Sequence, residues 1–358
     1  MKVYLFTDNL GSGGAQRQLV GLAIMLANKH FDVKVCTYYS HDFYKDQLDK
    51  NGVQNEIICC ASNKIKRIFK IFMYFKREHP DCVIAYQETP SIIASVAKLF
   101  GCKYKLIVSE RNTTQTINWM AKFRFHLFRL ADFVVPNAYA QEEFIQKSFS
   151  FLNKKILTIP NYVDLDFFYP LSKRLRKDIP EIIVVASIFA PKNTLGFLDA
   201  VDEMKKRNLR FHISWYGKVE SHIDYFNQCQ EKINKMGLED VIELKAKTVR
   251  IRDFYQNADF FCLPSFYEGT PNVICEAMAC GLPILCSDVC DNPLYVVAGE
   301  NGFLFNPYDK FSIADKFERA ISLTEEQYLL YCEVSRKKAE EKFSKDIFIR
   351  SYIKLIEQ

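Results

Sequence analysis

Pro264-Ser265-Phe266-Tyr267-Glu268-Gly269-Thr270-Pro271-Asn272-Val273-Ile274-Cys275-Glu276-Ala277-Met278-Ala279-Cys280-Gly281-Leu282-Pro283 decides how the chain folds. A strand over Phe260–Pro264 enters it, a loop follows, and a helix spans Asn272–Ala279. Gly281 stops that helix and a second strand starts at Pro283. Strand, helix and strand at this spacing make one right-handed crossover of a parallel sheet.

Working outward, the same alternation recurs on both sides. Toward the C-terminus come a strand at Gly302–Phe305 and helices at Phe311–Leu323, Glu325–Phe343 and Ser344–Glu357. Upstream lie strands at Ile182–Ala186, Phe211–Tyr216 and Val241–Leu244, separated by helices at Thr194–Met204 and His222–Met236. A linker, Thr158–Asp164 with the charged run Lys173–Asp178, precedes them. Before it the pattern runs again, with strands at Val3–Thr7, Val33–Tyr38, Val83–Tyr86, Lys105–Val108 and Phe133–Pro136. The expected fold is α/β: two doubly wound, Rossmann-like domains facing each other across a cleft. Residues 1–165 form the first and 166–343 the second, and a last helix over 344–358 is expected to pack back toward the first.

Composition agrees with this class. The chain has 358 residues, 49% hydrophobic and 25% charged, with a net charge of +5. These values exclude disordered and collagen-like chains. No apolar run approaches the ~20 residues of a membrane span. Met1–Thr7 reads as a strand rather than a signal peptide, so a cytoplasmic protein is expected. The 12 cysteines include no C-x-x-C. Cys59-Cys60 are vicinal, and Cys36, Cys82, Cys262 and Cys286 sit in apolar strands as small hydrophobes. The cluster Cys275, Cys280, Cys286, Cys290 fits no common zinc spacing.

Charge is uneven. Residues 1–165 hold 22 Lys and Arg against 14 Asp and Glu, and the remainder 26 against 29. Much of the basic excess lies in Lys64–Arg77 and Lys122–Arg129, where Phe and Ile recur at helical spacing between cations. Two readings stand: core helices with a solvated charged face, or helices lying on an anionic membrane. No nucleic-acid module is present, so no nucleic-acid partner is expected.

Two loops carry candidate chemistry. Asn9–Arg17, between the first strand and helix, is glycine-rich at a helix N-terminus but matches neither a Walker A loop nor a dinucleotide fingerprint. Its other reading is a tight turn. The second loop is the opening stretch. Backbone N–H groups around Thr270–Val273 favour an anion, Glu268 lies ahead of them, and Glu276 lies a turn into the helix. Carboxylates accept hydrogen bonds from sugar and ribose hydroxyls, so the set suits a sugar nucleotide. Taken singly, Glu268 also complements the helix dipole and Glu276 also reads as a solvated helix residue.

The E-x7-E spacing, followed by Ala277–Pro283 and by Glu300-Asn301-Gly302-Phe303-Leu304, resembles the retaining glycosyltransferases of family 4, which have the GT-B architecture. Gly11–Gln18, Ile159–Asp164 and Pro191-Lys192-Asn193 are similar to further segments of that family, so the resemblance spans nearly the whole chain. It implies transfer from a nucleotide-sugar, expected to be UDP-linked, to a lipid-linked or polysaccharide acceptor, without cofactor or metal. It further implies Glu268 at the donor sugar, Glu276 at the ribose, and Gly269, Thr270, Pro271, Asn272 and Val273 around sugar and diphosphate. Lys192 would neutralise the leaving diphosphate, and Gly13 and Gly14 would approach donor phosphate or acceptor. The family's Gly-Arg at the start of the second domain is Ala186-Ser187 here. Ser187 therefore lies at the donor without the charge, and Arg111 is a candidate replacement. Its hinge Gly is Tyr162. No His stands out as a base, His126 reading equally as a packing residue, and the departing phosphate can take the acceptor proton. Asp164-Leu165-Asp166 imitates a metal-binding D-x-D but reads as a turn. Alternatives on the same scaffold are a sugar-nucleotide epimerase and a non-catalytic sugar-nucleotide binder.

Overall fold

The computed structural model describes residues 1–59, 63–111, 114, 116–172, 174–219 and 222–358. Cys60 and Lys173, named in the sequence reading, lie outside them. The chain divides into two compact units, Met1–Asn161 with Asp346–Gln358, and Tyr162–Lys345.

The first unit contains β1 (Lys2–Phe6), α1 (Gly14–Asn28), β2 (Asp32–Thr37), α2 (Lys45–Lys50), β3 (Gln54–Ile57), α3 (Lys64–Glu78), β4 (Cys82–Tyr86), α4 (Glu88–Leu99), β5 (Lys105–Glu110), α5 (Trp119–Leu127), β6 (Phe133–Pro136) and α6 (Tyr139–Ser148). Its strands form one parallel sheet in the order β3-β2-β1-β4-β5-β6. β4 is buried at every position, the near-continuous apolar run of a central parallel strand covered on both faces. α3, α4 and α5 lie over Tyr4, Phe6, Cys36, Val83 and Leu106 on one face.

The second unit contains β7 (Glu181–Val185), α7 (Thr194–Lys206), β8 (His212–Gly217), α8 (Ile223–Met236), β9 (Ile242–Ala246), α9 (Ile251–Asn257), β10 (Phe260–Leu263), α10 (Asn272–Ala279), β11 (Ile284–Ser287), α11 (Asn292–Tyr295), β12 (Gly302–Phe305), α12 (Lys310–Ile321) and α13 (Glu325–Phe343). Its order is β12-β11-β10-β7-β8-β9, again parallel. Apolar clusters fill both faces, one around Trp215 and Phe197, the other around Phe261 and Met278. α8 ends on Gly237 in the left-handed region, and α13 starts with a Thr324–Gln327 capping box.

α14 (Lys345–Glu357) closes the chain, and its buried Phe348, Tyr352 and Ile356 belong to the first unit. Among the described residues no helix is long and apolar enough to cross a membrane. Cys36, Cys82, Cys262 and Cys286 are fully buried, and desolvation raises their thiols above the ordinary range.

On each of the two basic stretches one cation leaves the solvated charged face. Arg67 on α3 and Arg124 on α5 turn inward and are buried. Arg67 stacks on Tyr38 and Tyr39, while Arg124 pairs with Glu88 and Glu110. The outward residues form mixed ridges: Ile65, Phe69 and Met73 with Lys66 and Lys70 on α3, and Trp119, Met120 and Phe123 with Lys122 on α5.

Candidate functional site

In the second unit the chain builds β8 and β9 on one side of β7, then returns to build β10, β11 and β12 on the other. The strand order therefore reverses between β7 and β10. In open parallel sheets the crevice beyond the carboxyl ends of such a strand pair is the ligand site, because the two loops leave in opposite directions.

The loop after β7 carries Ser187 and Lys192, and the loop after β10 carries Glu268 and Thr270. They are tied together, the Phe266 N–H donating to the Pro191 carbonyl at 3.0 Å. The Lys192 ammonium forms a hydrogen-bonded ion pair with the Glu268 carboxylate. The two side chains are 21% and 11% exposed, so the pair is shielded yet reachable from solvent. Sequence reasoning placed both at the donor but did not foresee that they meet. Asn193 follows at φ 59°, and its side chain donates to the Pro307 carbonyl at 2.8 Å, which anchors the base of the Lys192 loop. Gly217, ending β8, is required by close approach. A Cβ there would lie 2.2 Å from the Ala186 carbonyl oxygen.

Pro271 precedes α10 and offers no side chain to cap it. The N–H groups of the first turn and the helix dipole thus favour an anion at Gly269–Val273. Thr270 is buried, 3.4 Å from the Tyr295 hydroxyl. Glu276 is 3% exposed and accepts from Tyr255 at 3.1 Å, which removes the reading of a solvated helix residue. Ser187 is half-buried.

The remaining candidates lie in the first unit. Gly13 is the N-cap of α1, which begins at Gly14, and its φ of −85° is ordinary. Its lack of a side chain serves space, since a Cβ would sit 2.3 Å from Gln16 Oε1. Arg111 is largely committed. It donates to Ser109 Oγ at 2.7 Å, Asn161 Oδ1 at 2.9 Å, the Tyr86 hydroxyl at 2.9 Å and the Tyr352 hydroxyl, and lies over the Tyr86 ring. Its guanidinium joins α14 to β4 and β5 within the first unit. His126 Nδ1–H donates to the Lys122 carbonyl at 2.7 Å, and the ring packs on Phe151. Asp164 Oδ1 caps a turn through the Asp166 and Phe167 N–H groups and pairs with Lys345, so the D-x-D segment acts as a turn.

Sequence reasoning missed the buried Arg124 with Glu88 and Glu110. The one available signal was an acid ending the apolar run Leu106–Ser109.

Comparison with known proteins gives this geometry a class. Residues 12–167 match the model of Glycosyltransferase Family 4, and residues 170–333 that of Glycosyl transferases group 1. Together they make this chain a glycosyltransferase, one that resembles the family 4, group 1 enzymes over nearly its whole length. It is 23% identical over 83% of both chains to the amylovoran biosynthesis glycosyltransferase AmsD of Erwinia amylovora. It is 25% identical, over 80% of each chain, to an N-acetylgalactosaminyltransferase of Campylobacter jejuni named for a diphospho-undecaprenol acceptor. Among solved structures it superposes on Anabaena HepE in complex with UDP and glucose with a TM-score of 0.85, 16% identity and 100% coverage of both chains. The two-domain GT-B fold expected from the sequence is the fold observed.

Proposed function

We propose that this protein transfers a hexose or N-acetylhexosamine from a UDP-sugar to a lipid-linked or polysaccharide acceptor, with retention of the anomeric configuration and without a metal. The observation that carries the proposal is the Lys192–Glu268 pair at the strand reversal, set against the start of α10. Opposite charges held there offer a cation to a diphosphate and an acceptor to sugar hydroxyls. Donor binding would part them, Lys192 turning to the leaving diphosphate as its charge develops and Glu268 to the sugar. Glu276, oriented by Tyr255, would take the ribose hydroxyls, with Gly269, Thr270, Pro271, Asn272, Val273 and Ser187 completing the donor pocket. The acceptor belongs to the first unit, near Gly13 and Gly14.

The names of the relatives support an acceptor used in polysaccharide or lipid-linked glycan synthesis, and the UDP bound in a structural neighbour supports the donor base. The ridges on α3 and α5 fit peripheral contact with an anionic membrane at its cytoplasmic face.

The test is a thermal-shift panel of UDP-, GDP- and ADP-sugars, followed by transfer assays. A UDP-sugar is expected to give the largest shift. Glu268→Ala is expected to lower turnover by roughly 10²-fold or more with folding intact. Product anomers read by NMR should match the donor's, and added chelator should leave the rate unchanged. Interconversion of the donor sugar without any acceptor would instead identify an epimerase.

A further inference from the structure

The glycine-rich loop of the first unit borders a cavity of about 640 Å³, well inside the roughly 300–1,000 Å³ of ligand pockets. Side chains alternate along β2, and Cys36 and Tyr38 belong to the core under α3, so Val35, Thr37 and Tyr39 face the opposite side. α2 lies on that side. Asn55, which pairs with Val35 across the β2–β3 edge, donates from its amide to Asp49 of α2 at 2.6 Å. The cavity lies between this edge of the sheet and α2. Its rim joins two loops: the Leu10 N–H donates to the His41 carbonyl at 2.8 Å, and the Leu10 carbonyl accepts from the Tyr44 N–H at 3.1 Å. Leu10 stands three residues before Gly13.

The lining has groups to offer. Thr37 is 3% exposed and borders the cavity, yet among the described residues its hydroxyl has no hydrogen-bond partner. A buried hydroxyl left unpaired costs stability that a bound ligand recovers. Tyr39 is 44% exposed but fixed: its ring packs on Tyr38 at 4.8 Å, and Arg67 lies over it and donates to its hydroxyl at 2.7 Å. Leu10, Val35 and Ile57 add apolar surface beside that ring. The charges decide the ligand. Lys34 and Glu56, also on the border, pair with each other at 3.6 Å. That leaves Asp42 and Asp49 against Lys45, so the cavity has no cationic excess with which to hold a phosphate or a nucleotide. Carboxylates, an amide, an imidazole and hydroxyls around a rigid aromatic ring suit a neutral glycan, whose hydroxyls both donate and accept and whose C–H faces are apolar.

We propose that this cavity is a distal glycan subsite: it binds the neutral sugars of the acceptor that lie beyond the one receiving the transfer, with Thr37, Asp42 and the Tyr39 ring as the contacts that recognise them. This rests on the glycosyltransferase reading and deepens it. The cavity has room for more than one sugar ring, and the Leu10 rim connects it to the loop near which the reacting sugar is placed. An acceptor that already carries several sugars therefore gains contacts that a single sugar does not.

The experiment measures acceptor KM for polyprenyl-diphosphate-linked mono-, di- and trisaccharides of neutral sugars, with the UDP-sugar of largest thermal shift as donor. Wild type is compared with Ile57→Trp, which fills the cavity from an exposed edge-strand position, and with Thr37→Val and Asp42→Ala, which each remove one polar group. Wild type is expected to show a trisaccharide KM roughly tenfold or more below its monosaccharide KM. Ile57→Trp is expected to erase that advantage and the other two to cut it roughly threefold or more, with donor KM and monosaccharide KM within about twofold of wild type. Asp42 is exposed and its carboxylate has no partner among the described residues, so Asp42→Ala keeps the unfolding midpoint within about 1 °C and decides the matter should Ile57→Trp not fold. A wild type with one KM for all three acceptors overturns the subsite and leaves the proposed function standing. Variants that keep the full length preference, or that lose mono- and trisaccharide equally, do the same. A wild type that transfers to none of these acceptors overturns the proposed function and the subsite together.

Discussion

Glu110 ends β5 almost fully out of water, facing Arg124, with Glu88 on the far side of the guanidinium. Burial pushes its carboxyl up to about 7, against the pull of Arg124 and with a further push from Glu88. A carboxyl raised in the folded chain holds its proton more tightly there than in the unfolded one. Its contribution to stability is thus full below its ordinary value and fades as pH climbs toward the raised one. Glu110→Gln should therefore match wild type near pH 5 and exceed it by ~1–3 kcal/mol near pH 8, read from urea titrations at the two pH values. A pH-independent difference would refute the buried-carboxyl account. At the proposed donor site, Tyr255→Phe should leave the fold intact and weaken UDP binding by roughly three- to tenfold in calorimetry, since Glu276 loses the hydroxyl that orients it. Glu268 and Glu276 were legible as candidates because a strand, a loop and a helix start frame them, whereas Lys192 was singled out only through the family resemblance. That Lys192 and Glu268 touch was not legible, because 75 residues of other elements intervene between two loops that only sheet order makes neighbours. The commitment of Arg111 was equally hidden, since Tyr86 and Tyr352 reach it from distant segments.

Elements were read best where the pattern was strong. The helix bounds Asn272–Ala279 and Glu325–Phe343 agree with the sequence reading, one framed by Pro and Gly, the other by a capping box. α2 and β3 escaped it. β3 is an edge strand whose Gln54, Glu56 and Ile57 are exposed, so it shows neither alternation nor an apolar run. α3 invites a prediction at this scale. Replacing exposed Phe69 and Met73 with Glu should abolish flotation with anionic vesicles while leaving the unfolding midpoint within about 1 °C. Flotation that persists would remove α3 from the membrane reading. At the end of β8, Gly217→Ala should cost about 2–3 kcal/mol and lower transfer as well. The added Cβ can only be accommodated by displacing the loop that carries Lys192.

At the scale of the molecule, two tandem doubly wound units were legible because β-rich runs and amphipathic helices alternate twice across a linker. The membership of α14 was expected from its position after the second domain, though nothing in Ser344–Glu357 names its partners. Those partners are specific. Tyr352 reaches Tyr86 and Arg111, and Lys105 donates to the Ile356 carbonyl at 2.7 Å. Removing residues 346–358 should destabilise the first unit selectively. Hydrogen exchange is expected to accelerate in β4 and β5 while β7 and β10 keep their protection. Equal acceleration in both sheets would contradict the division.

This division also orders events on the ribosome. Residues 162–345 are contiguous and can close their sheet as soon as they emerge, whereas the unit that starts the chain must wait for residues 346–358 before Tyr352 fills its place. At translation speeds of roughly 5–20 residues per second, the first-made sheet spends on the order of ten seconds or more with that seam open. During that interval it is a natural client for a chaperone, and the half synthesised later is the half that matures first.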